Sequence, residues 1–133
     1  ITESVFISDF GYINNTIGRL RNAGIHIAID DFGKGYSSLL REKELNIDYL
    51  KIDKHFIEDL LDTEPERVIA SDIISMSHKL GHCTVAEGVE HNIQLDYLKE
   101  HGCDRVQGHL ISKPLDEEDA ILFLKGQNHG TML

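Results

Sequence analysis

Several apolar segments of this 133-residue chain end at polar side chains that could take part in chemistry. The polar residues at these ends are Asp30 and Asp31, Lys51, Glu87 and Gln107. Active sites of α/β barrels and of open α/β sheets are built at the carboxyl ends of parallel strands. We therefore expect these side chains to converge on one site.

Such a site would be crowded with carboxylates, because Glu3 and Glu90 would join Asp30, Asp31 and Glu87. Carboxylates this close raise one another's pKa unless a cation neutralises them. Oxygen ligands without His or Cys favour hard ions such as Mg²⁺ or Mn²⁺ over zinc. Adjacent carboxylates can bridge two ions about 4 Å apart, an arrangement that serves phosphoester displacement. The pattern therefore indicates metal-dependent phosphodiester hydrolysis.

Lys51 and Gln107 fit the same chemistry, the lysine as a charge that holds a phosphoryl oxygen and the glutamine as a group that orients water or a second ligand. Each candidate also has a structural interpretation. Lys51 could form a surface ion pair with Asp53, and Gln107 could be purely structural. The Asp30–Asp31 pair could cap a helix or lie in a solvated loop.

Glu87 and Glu90 have a structural alternative of their own, because acidic residues suit the first turn of a following helix. His78 and His82 lie four residues apart, but Gly81 ends the predicted helix between them. We interpret the two histidines as a solvated pair rather than as a metal site.

Alternating helices and strands must position these residues. Phe6, Phe10, Ile13, Ile17 and Leu20 recur at steps of four and three, which predicts a helix that ends before Gly24. The remaining pattern predicts strands at 25–29, 48–53, 83–86 and 103–106, and helices at 69–80, 93–100 and 120–124, the last capped by Asp116 and ended by Gly126. This alternation predicts an α/β fold of parallel βα units. An open doubly wound sheet is the alternative, but the Gly-rich phosphate turn usual after its first strand is absent.

Composition narrows the class of protein. The chain has 13 Lys and Arg against 23 Asp and Glu, so the formal net charge is −10 and a generic DNA or RNA binder is excluded. No apolar run reaches the roughly 20 residues that span a bilayer, and no signal-peptide pattern is present, so we predict a cytoplasmic protein. Cys83 and Cys103 belong to no metal or disulfide pattern and are predicted to be reduced core thiols.

Five short motifs are distributed along most of the chain: ITES at 1–4, DDFGKGYSSL at 30–39, LKID at 50–53, AEGVE at 86–90 and GCDRVQG at 102–108. Their order and spacing resemble the EAL-domain family of bacterial phosphodiesterases that hydrolyse cyclic di-GMP. The resemblance implies a TIM-like (β/α)8 barrel that uses two Mg²⁺ or Mn²⁺ ions and releases linear pGpG.

The resemblance also implies roles for individual residues. By position, Glu3, Asp30 and Asp31 resemble the metal ligands of the family, and Lys51 resembles the lysine that holds the catalytic water. Glu87 matches the glutamate near the second metal.

Two further positions match the family. Gln107 corresponds to the glutamine of the last strand, and Glu90 to a glutamate that steadies the loop from Phe32 to Ser38. Lys34, His91 and His109 depart from the usual residues of the family, where two threonines and a tyrosine stand.

The Glu-Ala-Leu signature and a metal-binding asparagine of the family are missing from the sequence, and a TIM barrel typically needs about 250 residues. We therefore expect residues 1–133 to be the carboxyl-terminal portion of a single EAL-type barrel, about half of it, and to be inactive alone. Because parallel strands cut from a barrel leave unpaired edges, we expect a homodimer or an assembly with the missing half. The alternative function is a non-catalytic cyclic di-GMP receptor or dimerisation module.

Overall fold

The computed structural model describes residues 10–32, 46–61 and 68–127. The elements are α1 (Phe10–Asn22), β1 (Ala28–Phe32), β2 (Tyr49–Ile52), α2 (Lys54–Glu58), α3 (Ala70–Lys79), β3 (Cys83–Glu87), α4 (Asn92–Glu100), β4 (Arg105–Gln107) and α5 (Glu117–Gln127), with a 3₁₀ turn at Asp59–Leu61. The four strands form one parallel sheet in the order β1-β2-β3-β4. Parallel strands alternating with helices confirm the predicted fold class and are consistent with part of a TIM-like barrel.

One face of the sheet forms the main core. Leu50, Ile52 and Ala86 are fully buried there, and they pack with Ile74 of α3 and Leu98 of α4. A second buried cluster joins α1 to β1 through Ile17, Ile27, Ile29 and Ile47. Because side chains alternate across a strand, the residues between these apolar positions lie on the opposite face of the sheet. That opposite face carries Lys51 and Glu87.

β1 lies later in the sequence than predicted, at Ala28–Phe32 instead of 25–29. In its pairing with β2, Ile29 lies opposite Leu50 and Phe32 opposite Ile52, so β1 has one residue more than β2 across this interval. This irregularity is a β-bulge, and Asp30 and Asp31 are the residues inside it. The apolar pattern missed this strand end because two charged residues continue the strand to Phe32.

Aspartates fix the amino ends of the strands, and Asp48 does so for β1 and β2. It lies directly before β2, and its Oδ2 accepts a hydrogen bond of 2.8 Å from the backbone N–H of Ile27. Its Oδ1 accepts from Nε of Arg21, in the last turn of α1, at 3.1 Å. Burial alone would raise the pKa of Asp48, but the Ile27 N–H and the Arg21 charge outweigh it and the pKa lies below its ordinary value.

Asp104 does the same for β3 and β4. Its Oδ2 accepts from the backbone N–H of Thr84 at 2.7 Å and from the Thr84 hydroxyl at 2.9 Å, and it lies 2.8 Å from Nε2 of His78. Burial would raise the pKa of Asp104, but the Thr84 and His78 hydrogen bonds lower it overall. The predicted solvated histidine pair is wrong for His82, which is buried, whereas His78 is exposed and contacts Asp104.

Other local predictions have mixed outcomes. Asp116 caps α5 as predicted, since its Oδ1 accepts from the N–H of Asp119 at 2.9 Å, but the helix continues through Gly126 to Gln127. Cys83 is exposed rather than in the core, because it begins β3 on the face opposite the apolar cluster. None of the helices within the described ranges is long and apolar enough to cross a membrane.

Candidate active site

The ammonium group of Lys51 joins carboxylates from the two neighbouring strands. Its Nζ lies 2.5 Å from Oε1 of Glu87 and 3.3 Å from Oδ1 of Asp30. The three side chains are partly buried, with exposed fractions of 23% for Lys51, 20% for Glu87 and 39% for Asp30. The structure therefore brings together three of the residues selected from the sequence.

Strand register explains this convergence. Lys51 lies opposite Val85 of β3, and Glu87 is two residues further along the same strand and on the same face. The bulge places Asp30 in the interval of β1 that faces Lys51. Bulges beside functional sites commonly redirect a side chain, and this one provides two acidic residues where a regular strand would provide one.

The electrostatic surroundings keep Lys51 charged. Burial alone would lower its pKa, but the hydrogen bond and charge of Glu87, followed by those of Asp30, more than compensate. The pKa of Lys51 therefore lies above its ordinary value of 10.5. A lysine in this state donates hydrogen bonds to anions and does not act as a general base at neutral pH.

Gln107 and Glu90 lie beside this cluster rather than within it. Gln107 is the last residue of β4 and pairs with Glu87 in the register. Its side chain is exposed, as is that of Glu90, and Oε1 of Glu90 lies 3.7 Å from Nδ1 of His109.

Two of the residues predicted to bind metal cannot be placed as side chains. Glu3 lies outside the described residues, and for Asp31 only the backbone is described, within the bulge of β1. Lys34, which departs from the usual residue of the family, also lies outside the described residues. Within the described ranges no group of three or more His, Cys, Asp and Glu side chains is arranged to hold a metal ion. Asp30 and Glu87, however, both contact the ammonium group of Lys51 through carboxylate oxygens. Oxygen is the donor type that Mg²⁺ and Mn²⁺ prefer. The described residues thus fit part of a donor set for a hard ion.

The observed contacts differ from the structural alternatives considered for Lys51 and for the acidic residues after β3. Lys51 contacts Asp30 and Glu87, whereas Asp53 caps α2 by accepting from the N–H of His55 at 3.0 Å. Neither this cap nor α2 was predicted from the sequence, because α2 has only five residues, too few for a helical period to show.

The acidic residues after β3 do not cap α4. The backbone N–H groups of Glu90 and His91 donate to Oε1 of Gln94, at 2.9 and 3.0 Å, so the glutamine side chain satisfies the start of the helix. Gln94 is buried and was missed in the sequence, although a glutamine three residues after a helix N-cap is a recognisable capping pattern.

A cleft of about 550 Å³ lies between α1 and Asp48 at the amino ends of the strands, and Lys51 does not line it. Its charged residues, Arg21 and Asp48, are 3.0 Å apart and neutralise each other. We interpret this cleft as a structural feature rather than as the reaction site.

Known proteins are similar to this chain in sequence and fold. The cyclic di-GMP phosphodiesterase NbdA of Pseudomonas aeruginosa is 43% identical over 115 residues, which cover 86% of this chain and 15% of that protein. The PaMucR phosphodiesterase, solved as a cyclic di-GMP complex, is 38% identical with a TM-score of 0.81, covering 90% of this chain and 49% of that one. Klebsiella pneumoniae BlrP1, solved as a manganese and cyclic di-GMP complex, is 34% identical with a TM-score of 0.71, covering 85% and 29%.

The chain spans only 15 to 19% of the length of the curated relatives it matches. The EAL domain family matches residues 1–114. The motifs, the parallel sheet and these matches agree, and the chain belongs to the EAL domain family.

Proposed function

We propose that this chain forms part of a metal-dependent phosphodiesterase that hydrolyses cyclic di-GMP to linear pGpG. The observation that carries the proposal is the contact of Lys51 with both Asp30 and Glu87 at the carboxyl ends of three adjacent strands. In parallel α/β folds this end of the sheet is where active sites are built. The names of NbdA and PaMucR as phosphodiesterases support the same reaction.

The substrate is an anion, and the chain carries a net charge of −10, so the site must provide cations. Lys51 supplies one, because its raised pKa keeps it protonated while Glu87 and Asp30 hold it in place. In the proposed reaction Lys51 donates a hydrogen bond to the attacking water or to a phosphoryl oxygen. Glu87 accepts from the same water and orients it toward the phosphorus.

Gln107 and Glu90 have supporting roles in this proposal. The Gln107 amide, beside Glu87 in the register, orients water or a ligand at the edge of the site. Glu90 steadies the loop from Phe32 to Ser38, which lies outside the described residues.

We propose that Glu3, Asp30 and Asp31 hold two Mg²⁺ or Mn²⁺ ions. When bound, these ions supply Lewis acidity toward the phosphoryl oxygens. The manganese complex of BlrP1 supports this choice of ions.

We propose that residues 1–133 form the carboxyl-terminal portion of one EAL-type barrel in a cytoplasmic protein. Alone, these residues hydrolyse cyclic di-GMP slowly or not at all. Among the described strands, β1 and β4 are the edges of the sheet, and exposed edges recruit further strands. We therefore propose a homodimer or an assembly with the rest of the barrel.

Hydrolysis by the intact protein tests the function directly. With Mn²⁺ present, we expect the unmodified protein to release pGpG. We expect the Lys51→Gln variant to have a kcat at least about 100-fold lower. Lys99→Gln on α4 is the matched control, because it removes the same charge from an exposed helical position. Tight binding of cyclic di-GMP without cleavage by the unmodified protein would instead support the receptor function.

A further inference from the structure

The segment that follows Glu87 is held more tightly than its position in a loop would suggest. We name residues 88–91 the rim segment, because it continues from the catalytic end of β3 to the start of α4. Val89 in its middle is fully buried, and Glu90 and His91 donate their backbone N–H groups to one side chain, that of Gln94. The rim segment is therefore fixed by packing and by hydrogen bonds.

The first attachment is steric and involves the start of α2. Gly88 has φ of +72°, and a β-carbon there would lie 2.6 Å from Cβ of Lys54. Lys54 is three residues after Lys51 and begins α2. Only glycine allows this backbone to approach α2 so closely.

The second attachment joins the rim segment to β4. The N–H of Val89 donates to the carbonyl of Gln107 at 3.1 Å, and the N–H of Leu110 donates to the carbonyl of Val89 at 3.0 Å. A β-carbon at Gly108 would lie 2.1 Å from the carbonyl oxygen of Val89. The backbones that follow Glu87 and Gln107 are thus in direct contact.

The third attachment passes through Gln94 to the end of α2. Its Oε1 accepts from Glu90 and His91, and its Nε2 donates to the carbonyl of Ile57 at 2.9 Å. Gln94 is 1% exposed. Its hydrogen bond to Ile57 is buried, and those from Glu90 and His91 are partly buried. One amide therefore connects the segment after Glu87 to the helix after Lys51.

We propose that Gln94 is a positioning residue that keeps Lys51 and Glu87 at their working distance by tying the rim segment to α2. The inference rests on the proposed function and deepens it. Gln94 does not touch the reacting atoms; it acts through the backbones that carry Lys51 and Glu87. Because it is buried and makes three hydrogen bonds, no neighbouring side chain can take its place without rearrangement.

The test compares two variants at this position with a control at the opposite end of the sheet. Gln94→Met removes all three hydrogen bonds at nearly constant volume, and Gln94→Glu keeps the acceptor oxygens but loses the donor to Ile57. Thr84→Val is the matched control, since it removes a buried hydroxyl that bonds Asp104 at the amino end of β3. In the intact protein, we expect both Gln94 variants to lower kcat at least about 10-fold and to change KM by no more than about twofold. We expect Thr84→Val to lower Tm by a comparable amount while kcat stays within about twofold of that of the unmodified protein.

Amide measurements judge the inference independently of hydrolysis. Faster hydrogen exchange is expected at Glu90 and His91 in Gln94→Met, together with shifted amide resonances of Lys51 and Glu87 in both Gln94 variants and not in Thr84→Val. If the unmodified protein does not hydrolyse cyclic di-GMP, the proposed function is wrong, and these resonances alone decide the role of Gln94. The inference would be overturned if the Gln94 variants left the resonances of Lys51 and Glu87 unchanged or kept kcat within about twofold of that of the unmodified protein. An equal loss of kcat in Thr84→Val would also overturn it. If Gln94→Met does not fold, Gln94→Glu carries the same comparison.

Discussion

Carboxylates lie at both ends of the sheet, but their partners differ. At the amino ends, Asp48 and Asp104 accept hydrogen bonds from the backbone N–H groups of Ile27 and Thr84. At the carboxyl ends, Asp30 and Glu87 contact the side-chain ammonium of Lys51. A backbone donor is fixed by the fold, whereas a side-chain cation can move when a ligand arrives. Carboxylates at the first end therefore hold the strands together, and those at the second end remain suited to binding.

The largest effect that this comparison predicts is on catalysis at the carboxyl end. Glu87→Gln should lower kcat for cyclic di-GMP by at least about 100-fold, because it removes a charge from the site where the substrate reacts. The free energy of unfolding should change by less than about 1 kcal/mol, because Lys51 keeps its contact with Asp30 and partly exposed ion pairs contribute little. Steady-state kinetics and urea unfolding of the same preparation measure both values. A large loss of stability with normal kcat would reverse the roles we assign to the two ends.

The next effect is on stability at the amino end. Asp104→Ala should lower the free energy of unfolding by about 2 to 3 kcal/mol, because the Thr84 N–H and hydroxyl lose their acceptor in a partly buried place. We expect kcat to stay within about threefold. Asp96→Ala, at an exposed position on α4, is the control and should change stability by about 0.5 kcal/mol or less. Urea unfolding and the hydrolysis assay distinguish the two variants, and equal unfolding curves would refute the structural role of Asp104.

The smallest effect concerns acid stability. The pKa values of Asp48 and Asp104 are lowered in the folded protein, below their ordinary value of 3.8. Such groups stabilise the fold fully above the unfolded-state pKa, and this contribution is lost as pH falls through the folded-state value. We therefore expect stability to fall below about pH 4, and to fall less steeply in Asp104→Asn. Urea unfolding measured at several pH values between about 2.5 and 6 checks this slope. A variant curve parallel to that of the unmodified protein would contradict it.

The sequence predicts the fold class and most elements because parallel βα units combine apolar strands with periodic helices. The pattern failed at β1, where Asp30 and Asp31 belong to the strand although neither is apolar. It also failed at α2, which is too short for a period and depends on Asp53 as its cap.

The site was partly predictable for a related reason. Polar residues at strand ends identified Asp30, Lys51 and Glu87, because the carboxyl ends of parallel strands meet at one edge. Gln94 could not be selected in the same way, since its role depends on Ile57, 37 residues earlier, and no local pattern encodes that contact. The contact among Asp30, Lys51 and Glu87 is observed, whereas the roles of all seven candidate residues, including Glu3, Asp31, Gln107 and Glu90, stay predictions.

The extra residue in β1 changes which kinds of mutation the acidic pair tolerates. Because the bulge shifts the pairing between Ile29 and Phe32, removing one residue there would bring the strand back into regular alternation with β2. A single-codon deletion would then leave one acidic residue in that interval where two now lie, without altering the apolar positions on either side. A deletion in this five-residue strand is therefore expected to damage the site more than most single substitutions do.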